Sequence, residues 1–173
     1  MPRADHIAGV VLAGGRSRRM GENKALLDYR GKPLIEHITG ILKCSGLETV
    51  IISGDIEGYD CVPDDAPFGG PAKAIETVIR RFPDYKGFLF VPVDMPLLEP
   101  EMLQILMQQK DGAYFIGCPL PAFITPPYSE SNETSVQALL DSHGIYPVDL
   151  PKRFFSAMKN TNTPEEWKEV TAL

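Results

Sequence analysis

The sequence predicts a three-layer α/β/α fold built on a mostly parallel sheet. Short apolar runs of strand length alternate along the chain with segments whose apolar residues recur at helical spacing. Strands and helices in that order form βαβ units, which require parallel strands and helices on both faces of the sheet. Ligands of such sheets bind beyond the carboxyl ends of the strands, so we expect the chemistry in the loops that follow them.

Three apolar runs predict the central strands. The first is rich in β-branched residues, as buried strands of parallel sheets are, and it ends in alanine and two glycines. Two later segments, 114–116 and 121–124, predict a further pair of strands. The three central runs are Ile7–Leu12, Thr49–Ser53 and Phe88–Val93.

Helical spacing is clearest between Pro33 and Cys44. The apolar residues there fall at i, i+1, i+4, i+7 and i+8, which is one face of a helix with proline in its first turn. Thr163, Pro164 and Glu166 match a capping box with proline at the first helical position. Further helices are predicted over 72–82, 102–107, 133–140 and 164–170.

Length and charge limit the function classes. The chain has 173 residues, 43% of them hydrophobic, which predicts a single domain over 1–173. Lys and Arg number 17 against 23 Asp and Glu, and the net charge of −6 disfavours a general nucleic-acid binder. No apolar run approaches the roughly 18 residues of a membrane span, and the N-terminus has no signal-peptide pattern. We therefore expect a cytoplasmic protein without a membrane partner.

The cysteines and the motif inventory exclude other chemistries. Cys44, Cys61 and Cys118 are widely spaced and form no CxxC pair, which argues against disulfides and thiolate metal sites and predicts buried structural thiols. The sequence contains neither G-x-S-x-G nor HExxH, so acyl transfer and zinc hydrolysis have no support.

A glycine-rich, basic loop follows the first strand. It reads LAGGRSRRMG from Leu12, with Lys24 three residues later, and the stretch from Arg16 to Lys32 holds six basic and two acidic residues. Paired glycines let backbone N–H groups close on an anion, and the cations add attraction. The loop lacks both the GxxxxGK[ST] and the GxGxxG spacing. It predicts a polyphosphate site of another type.

Asp94 ends the third central strand and is followed by Met95-Pro96. One carboxylate beside a phosphate-binding loop suits Mg²⁺, which prefers one or two carboxylates together with phosphate oxygens and water. We therefore expect Asp94 to be the metal ligand.

The run LAGGRSRRMGENKALL resembles the signature loop of the molybdenum cofactor guanylyltransferases, LAGG-x-S-x-RMG-x-x-K, and fills every fixed position. The resemblance implies a Rossmann-like nucleotidyltransferase fold of the nucleotide-diphospho-sugar transferase type. It also implies that Arg19 and Lys24 neutralise the phosphates of a nucleotide. The residues whose backbone it places on that nucleotide are Leu12, Ala13, Gly14 and Gly15.

The resemblance continues along the chain. Val62-Pro63-Asp64 followed by Gly70-Pro71 is similar to a family segment in which the aspartate, here Asp64, holds the guanine or its ribose. The stretch Ala72-Lys73-Ala74 departs from the family by replacing a glycine with Ala74, which predicts a pocket one methyl tighter with an added cation. The segment from Lys159 to Trp167 is similar to the family's N-x-N-TPE run, which implies that Asn160 and Asn162 line the acceptor side.

The activity implied is GMP transfer from GTP to the terminal phosphate of molybdopterin, with release of pyrophosphate. The catalytic residues implied are Arg19, Lys24 and Asp94, with Mg²⁺ on Asp94. A phosphate nucleophile is already ionised, so no general base is needed. Molybdoenzyme maturation proteins are the protein partners that the resemblance suggests.

Three alternatives stay open. Cytidine-specific relatives carry LAAG where this chain has LAGG, so Gly14 favours GTP, whereas the altered 72–74 stretch leaves CTP open. Transfer to a sugar phosphate is disfavoured because Asn23, rather than proline, precedes Lys24. The altered stretch also fits a carrier that binds nucleotide or cofactor without turnover.

Overall fold

A computed structural model describes residues 6–15, 23–66 and 69–173. Two 3₁₀ helices, Lys24–Leu26 and Lys152–Met158, accompany the regular elements. The helices are α1 (Leu34–Cys44), α2 (Pro71–Arg81), α3 (Pro100–Met107), α4 (Val136–Ser142) and α5 (Pro164–Thr171). The strands are β1 (Ile7–Leu12), β2 (Asp28–Tyr29), β3 (Lys32–Pro33), β4 (Thr49–Ser53), β5 (Cys61–Val62), β6 (Gly87–Pro92), β7 (Ala113–Phe115), β8 (Cys118–Ile124) and β9 (Pro147–Val148).

Seven of these strands form one sheet in the order β5-β4-β1-β6-β8-β7-β9. β1 lies at the centre and pairs in parallel with β4 and β6, and β5 extends the parallel part beside β4. β8 runs antiparallel to both β6 and β7, while β9 is parallel to β7. The predicted mostly parallel sheet is confirmed, and so is the predicted strand pair at 114–116 and 121–124.

Helices cover both faces of the sheet. Ile38 of α1, Leu103 of α3 and Val170 of α5 belong to one buried apolar cluster. Ile75 of α2 and Leu140 of α4 belong to the other. Neighbouring residues of β1 alternate between the two clusters, as the period of a strand requires. The three-layer prediction is therefore confirmed, with α1, α3 and α5 on one face and α2 and α4 on the other.

The sequence did not predict the two-residue strands or the 3₁₀ helices, which are too short to show a period. The sequence also predicts that α4 begins at residue 133, whereas the helix begins at Val136, where the Ser135 side chain caps it by accepting a hydrogen bond from the Ala138 N–H at 3.2 Å. The predicted capping box at Thr163 and Glu166 is present.

The cysteines are free, but the prediction that they are buried is wrong. Cys44 is exposed at the end of α1, and Cys61 and Cys118 are partly exposed. Among the residues that the structure describes, none of the helices has the length and apolar character needed to cross a membrane.

The strand register places three loops side by side. Leu12 at the end of β1 lies opposite Ser53 of β4 and Pro92 of β6. Backbone bonds continue past the strand ends, from Ala13 N to Ser53 O at 2.9 Å and from Val93 N to Leu12 O at 3.2 Å. The glycine loop and the turn at Asp94 therefore leave the sheet at the same edge.

Candidate active site

A cavity of about 930 Å³ opens at the carboxyl edge of the sheet. One side is formed by residues 12–15 of the glycine loop with Asp64 and the start of α2, and the middle by Lys24 and residues 92–95. The far wall is formed by residues 117–120 and 134–137, and Met158 and Asn160 complete the lining. The structure thus brings together most of the site residues predicted from sequence, although they are spread over nearly 150 positions. Asn162 is not among the lining residues.

The glycine loop exposes its backbone to the cavity. Leu12 and Ala13 are buried, whereas Gly14 and Gly15 are exposed. Gly15 has a φ of +137°, a conformation that L side chains rarely adopt. Gly54, which the sequence analysis missed, has a φ of +141°, and a Cβ there would lie 2.9 Å from the Gly14 nitrogen. Glycine after β4 is therefore required for the close approach of the two loops.

Asp64 lies directly against Gly14. Its Oδ1 accepts a hydrogen bond from the Ser53 hydroxyl at 3.2 Å, and Ser53 is fully buried. A Cβ on Gly14 would lie 2.9 Å from Asp64 Oδ2. The neighbouring Asp65 accepts from Arg81 at 2.8 Å, which ties this loop to the end of α2. Gly14 thus leaves the room that the Asp64 carboxylate occupies.

Lys24 and Asp94 form the charged centre of the cavity. The Lys24 ammonium lies 3.9 Å from Asp94 Oδ2, with side-chain exposures of 17% and 21%. Burial raises the pKa of the Asp94 carboxyl, Lys24 opposes that rise, and the charge of Glu166 adds to it. The pair is a cation and a carboxylate that are largely withdrawn from water.

The C-terminal segment 160–163 completes this centre. Thr161 donates both its N–H, at 2.9 Å, and its hydroxyl, at 3.1 Å, to the main-chain carbonyl of Asp94. Asn162 Oδ1 accepts from Lys24 at 3.0 Å, whereas Asn160 lines the cavity. The two asparagines that the sequence analysis grouped together therefore have different neighbours. Thr161, to which the sequence analysis gave no role, contacts the main chain of Asp94.

Glu166 anchors the segment from the other side. Its Oε2 accepts from the backbone N–H groups of Asn162, at 2.6 Å, and of Thr163, at 3.0 Å. The bond from the Asn162 N–H is the largest cause of a lowered pKa at the Glu166 carboxyl, and the bond from Thr163 adds to it. Together they outweigh desolvation, which acts in the opposite direction. The ionised carboxylate of Glu166 thus holds segment 160–163 in place.

The departure at 72–74 affects the cavity through one residue. Ala74 is buried and lines the cavity, as its substitution for glycine predicts. Lys73 pairs with Glu76 at 3.0 Å along α2 and is not among the lining residues. The prediction of an added cation in the pocket is therefore wrong, because that cation is held on the helix surface.

The far wall presents polar groups from the start of α4. The Gln137 amide nitrogen donates to the Tyr114 hydroxyl at 2.8 Å and to Asp141 at 2.9 Å, and Gln137 lines the cavity. Those two bonds fix the orientation of its amide. Ser135 and Thr134 lie beside it on the same wall.

The predicted roles of Arg19 and of a metal ion concern the same centre. Arg19 lies outside the described residues, together with the rest of 16–22. Over 6–15, 23–66 and 69–173, no group of three or more His, Cys, Asp and Glu side chains is arranged to hold a metal ion. A cation at Asp94 would therefore need further oxygen ligands from water or from a bound phosphate.

The sequence of this chain is similar to a known protein family. The family model described as "MobA-like NTP transferase domain" matches residues 9–152. A molybdenum cofactor guanylyltransferase of Xanthomonas euvesicatoria is 34% identical over 175 residues, covering 94% of this chain and 93% of that protein.

Solved structures show the same fold at lower identity. Molybdopterin-guanine dinucleotide biosynthesis protein A from Archaeoglobus fulgidus has a TM-score of 0.66 and 21% identity, covering 95% of this chain and 97% of that one. A nucleotidyl transferase from Methanothermobacter has a TM-score of 0.70 and 18% identity, with 96% of each chain covered.

The raised pKa of Asp94 predicts that Asp94→Asn stabilises the ligand-free protein at pH 7. A carboxyl whose pKa is higher folded than unfolded contributes stability that is lost as pH rises through the folded pKa. Asparagine carries no charge to bury, so the variant should melt at a higher temperature than the wild type at pH 7. The difference should shrink towards about pH 4, where the unfolded-state aspartate itself becomes protonated.

Thermal unfolding from pH 4 to pH 8 measures this, with the exposed Asp60→Asn as the matched control. Asp60→Asn should leave the melting temperature nearly unchanged. An Asp94→Asn protein that melts below the wild type at pH 7 would show that the Lys24 contact outweighs burial.

Proposed function

The chain belongs to the family of MobA-like NTP transferases, and from that premise we propose that it is a molybdenum cofactor guanylyltransferase. In this proposal it transfers GMP from GTP to the terminal phosphate of molybdopterin and releases pyrophosphate. The observation that carries the proposal is the position of Lys24 and Asp94, midway along a cavity with a backbone-lined glycine loop at one end. A nucleotide and an acceptor that enter from opposite ends would meet at this pair.

The nucleotide occupies the side formed by the glycine loop. Backbone N–H groups exposed at Gly14 and Gly15 suit phosphate oxygens. Asp64 can accept hydrogen bonds from a ribose hydroxyl or a guanine N–H, and Ser53 holds the carboxylate ready for that contact. Lys24 and Arg19, the latter outside the described residues, provide positive charge for the triphosphate.

Asp94 fits a role as ligand of Mg²⁺. It supplies one carboxylate beside the phosphate loop, and Mg²⁺ completes its shell with phosphate oxygens and water. Bound there, Mg²⁺ would neutralise negative charge on the reacting phosphates.

The reaction is an in-line displacement at the α-phosphorus of GTP. An oxygen of the acceptor phosphate forms the new bond, and the bond to the bridging α–β oxygen breaks with its electron pair on pyrophosphate. The nucleophile is ionised at neutral pH, so no side chain has to remove a proton. What the chain contributes is position and charge, with the Lys24 ammonium placed to stabilise negative charge that develops on the phosphates.

The acceptor occupies the far wall of the cavity. Asn160 lines the cavity next to Thr161, whose N–H bonds to the Asp94 carbonyl, which supports a place for it beside the reacting end of the acceptor. Gln137 on the far wall adds an amide held in one orientation. Hydrogen-bonding groups there suit the N–H and carbonyl edge of a pterin.

The remaining assignments follow from this activity. We propose one nucleotidyltransferase domain over 1–173 and a cytoplasmic location, where GTP is available. Molybdoenzyme maturation proteins are the proposed partners because the product has to reach an apoenzyme. The net charge of −6 disfavours a nucleic-acid partner.

Cytidylyl transfer is the second candidate, favoured by one observation. Ala74 lines the nucleotide end of the cavity where a glycine is expected, and its methyl reduces the room for a purine. Gly14 favours guanine, so the two residues point to different bases.

A thermal-shift panel with Mg²⁺ and GTP, CTP, ATP or UTP separates these candidates. A ligand at about 100 times its dissociation constant stabilises a protein by roughly 2.7 kcal/mol, which for this size is a shift of about 5–10 °C. We expect the largest shift with GTP, and pyrophosphate release when molybdopterin is added.

A larger shift with CTP would show that Ala74 outweighs Gly14 in the choice of base and would favour cytidylyl transfer. A shift with GTP but no pyrophosphate in the presence of acceptor would indicate a non-catalytic carrier.

The contact between Gly14 and Asp64 predicts that Gly14→Ala weakens GTP binding without unfolding the protein. Gly14 has no positive φ, so its backbone accepts alanine, but the new Cβ displaces Asp64 Oδ2 from its place. Loss of the hydrogen bonds made by Asp64 should raise the GTP dissociation constant about tenfold.

Calorimetric titration with GTP measures this effect. Gly40→Ala on α1 is the matched control, because among the described residues a Cβ there would meet nothing within 4 Å beyond its own stretch of helix. Gly40→Ala should bind GTP like the wild type. Unchanged GTP binding by Gly14→Ala would remove Asp64 from the proposed nucleotide contacts.

A further inference from the structure

Thr161 is a buried polar residue that helix capping does not explain. It is 1% exposed, and its hydroxyl and N–H both reach the carbonyl of Asp94, 67 positions away. The cap of α5 is made by Thr163 and Glu166 instead. The side chain of Thr161 therefore stabilises the turn at Asp94 by donating a hydrogen bond to its carbonyl.

The other buried polar side chains sharpen the contrast. Among the described residues they are Ser45, Ser53 and Thr77. Ser45 and Thr77 donate to carbonyls four positions earlier, at or within their own helices. Ser53 and Thr161 instead bond to two residues of the cavity, the carboxylate of Asp64 and the main chain of Asp94. Buried hydroxyls thus hold both acidic residues of the cavity.

The next residue in the chain holds the cation. Asn162 Oδ1 accepts from Lys24 at 3.0 Å while Thr161 binds the Asp94 carbonyl. Consecutive Cα atoms lie about 3.8 Å apart, so one short stretch of backbone carries both contacts. Segment 160–163 therefore constrains the separation of Lys24 and Asp94, which is 3.9 Å between the ammonium and Oδ2.

Glu166 keeps segment 160–163 in place. Its carboxylate accepts from the N–H groups of Asn162 and Thr163, so the backbone that follows Thr161 is tied to the first turn of α5. The chain of contacts runs from α5 through Thr161 and Asn162 to Asp94 and Lys24.

We propose that Thr161 is a positioning residue for transfer, which acts by fixing the main chain of Asp94 while Asn162 fixes Lys24. This inference rests on the proposed function, because it assigns Thr161 to the geometry of the same reaction. Asn162 then acts through Lys24 rather than by contacting the acceptor.

Thr161→Val tests the proposal, because valine keeps the shape and removes the hydroxyl. We expect kcat to fall about tenfold to hundredfold, the cost typical of a misplaced reacting group, with KM for GTP changed less than about threefold. Thr161→Ser restores the donor and should recover most of kcat. A second readout without turnover is the Mg²⁺ concentration that gives half of the GTP-dependent thermal shift. It should rise about tenfold in Thr161→Val and stay near the wild-type value in Thr161→Ser.

Thr77→Val is the matched control for loss of a buried threonine hydroxyl, since Thr77 is 3% exposed and bonds only within α2 among the contacts described. It should lower thermal stability and leave kcat and the Mg²⁺ midpoint unchanged. The proposal is overturned if Thr161→Val matches the wild type in both readouts, if Thr161→Ser is as impaired as Thr161→Val, or if Thr77→Val shows the same losses.

Asn162→Ala provides an independent test at an exposed position, where folding is not at risk. The positioning role predicts a lower kcat with KM for the acceptor unchanged. A raised acceptor KM with wild-type kcat would return Asn162 to the acceptor side and overturn its part in the proposal. A wild-type protein without a GTP shift or pyrophosphate release would instead overturn the proposed function itself.

Discussion

The Asp94 carboxylate lies largely out of water beside Lys24, and the other parts of the site are arranged around that pair. Burial of a carboxylate costs free energy unless a cation and hydrogen bonds compensate it. Here Lys24 compensates in part, and burial still raises the pKa of the carboxyl. A metal ion and a triphosphate complement such a site electrostatically, so binding can offset the cost that the ligand-free protein carries.

The fold assembles the centre of the site from three distant parts of the chain. Strand register brings the loop after β1 next to the turn after β6, where Asp94 lies. Segment 160–163 contacts both, because Thr161 donates to the Asp94 carbonyl and Asn162 accepts from Lys24. The central parallel strands thus position the glycine loop and the carboxylate, and the C-terminal segment contacts both Lys24 and Asp94.

Sequence reasoning predicted the fold, and it named many of the residues that line the cavity, because both predictions rest on local patterns. Apolar runs, helical stripes and a glycine loop can be read from neighbouring residues, and so can a carboxylate at a strand end. The roles of Thr161 and Gly54 cannot, because they depend on a backbone carbonyl and a backbone nitrogen of other segments. Lys73 was placed in the pocket because the sequence does not show that Glu76 holds it on the helix surface.

The fate of the α-phosphorus tests the central claim most directly. The protein would be incubated with molybdopterin, Mg²⁺ and GTP radiolabelled at either the α- or the γ-phosphorus, and the pterin product and pyrophosphate would be separated. Guanylyl transfer predicts α-label in the pterin product and γ-label in pyrophosphate, both dependent on Lys24 and Asp94. Label from the γ-position in the pterin product, or no label in it from either GTP, would contradict the account.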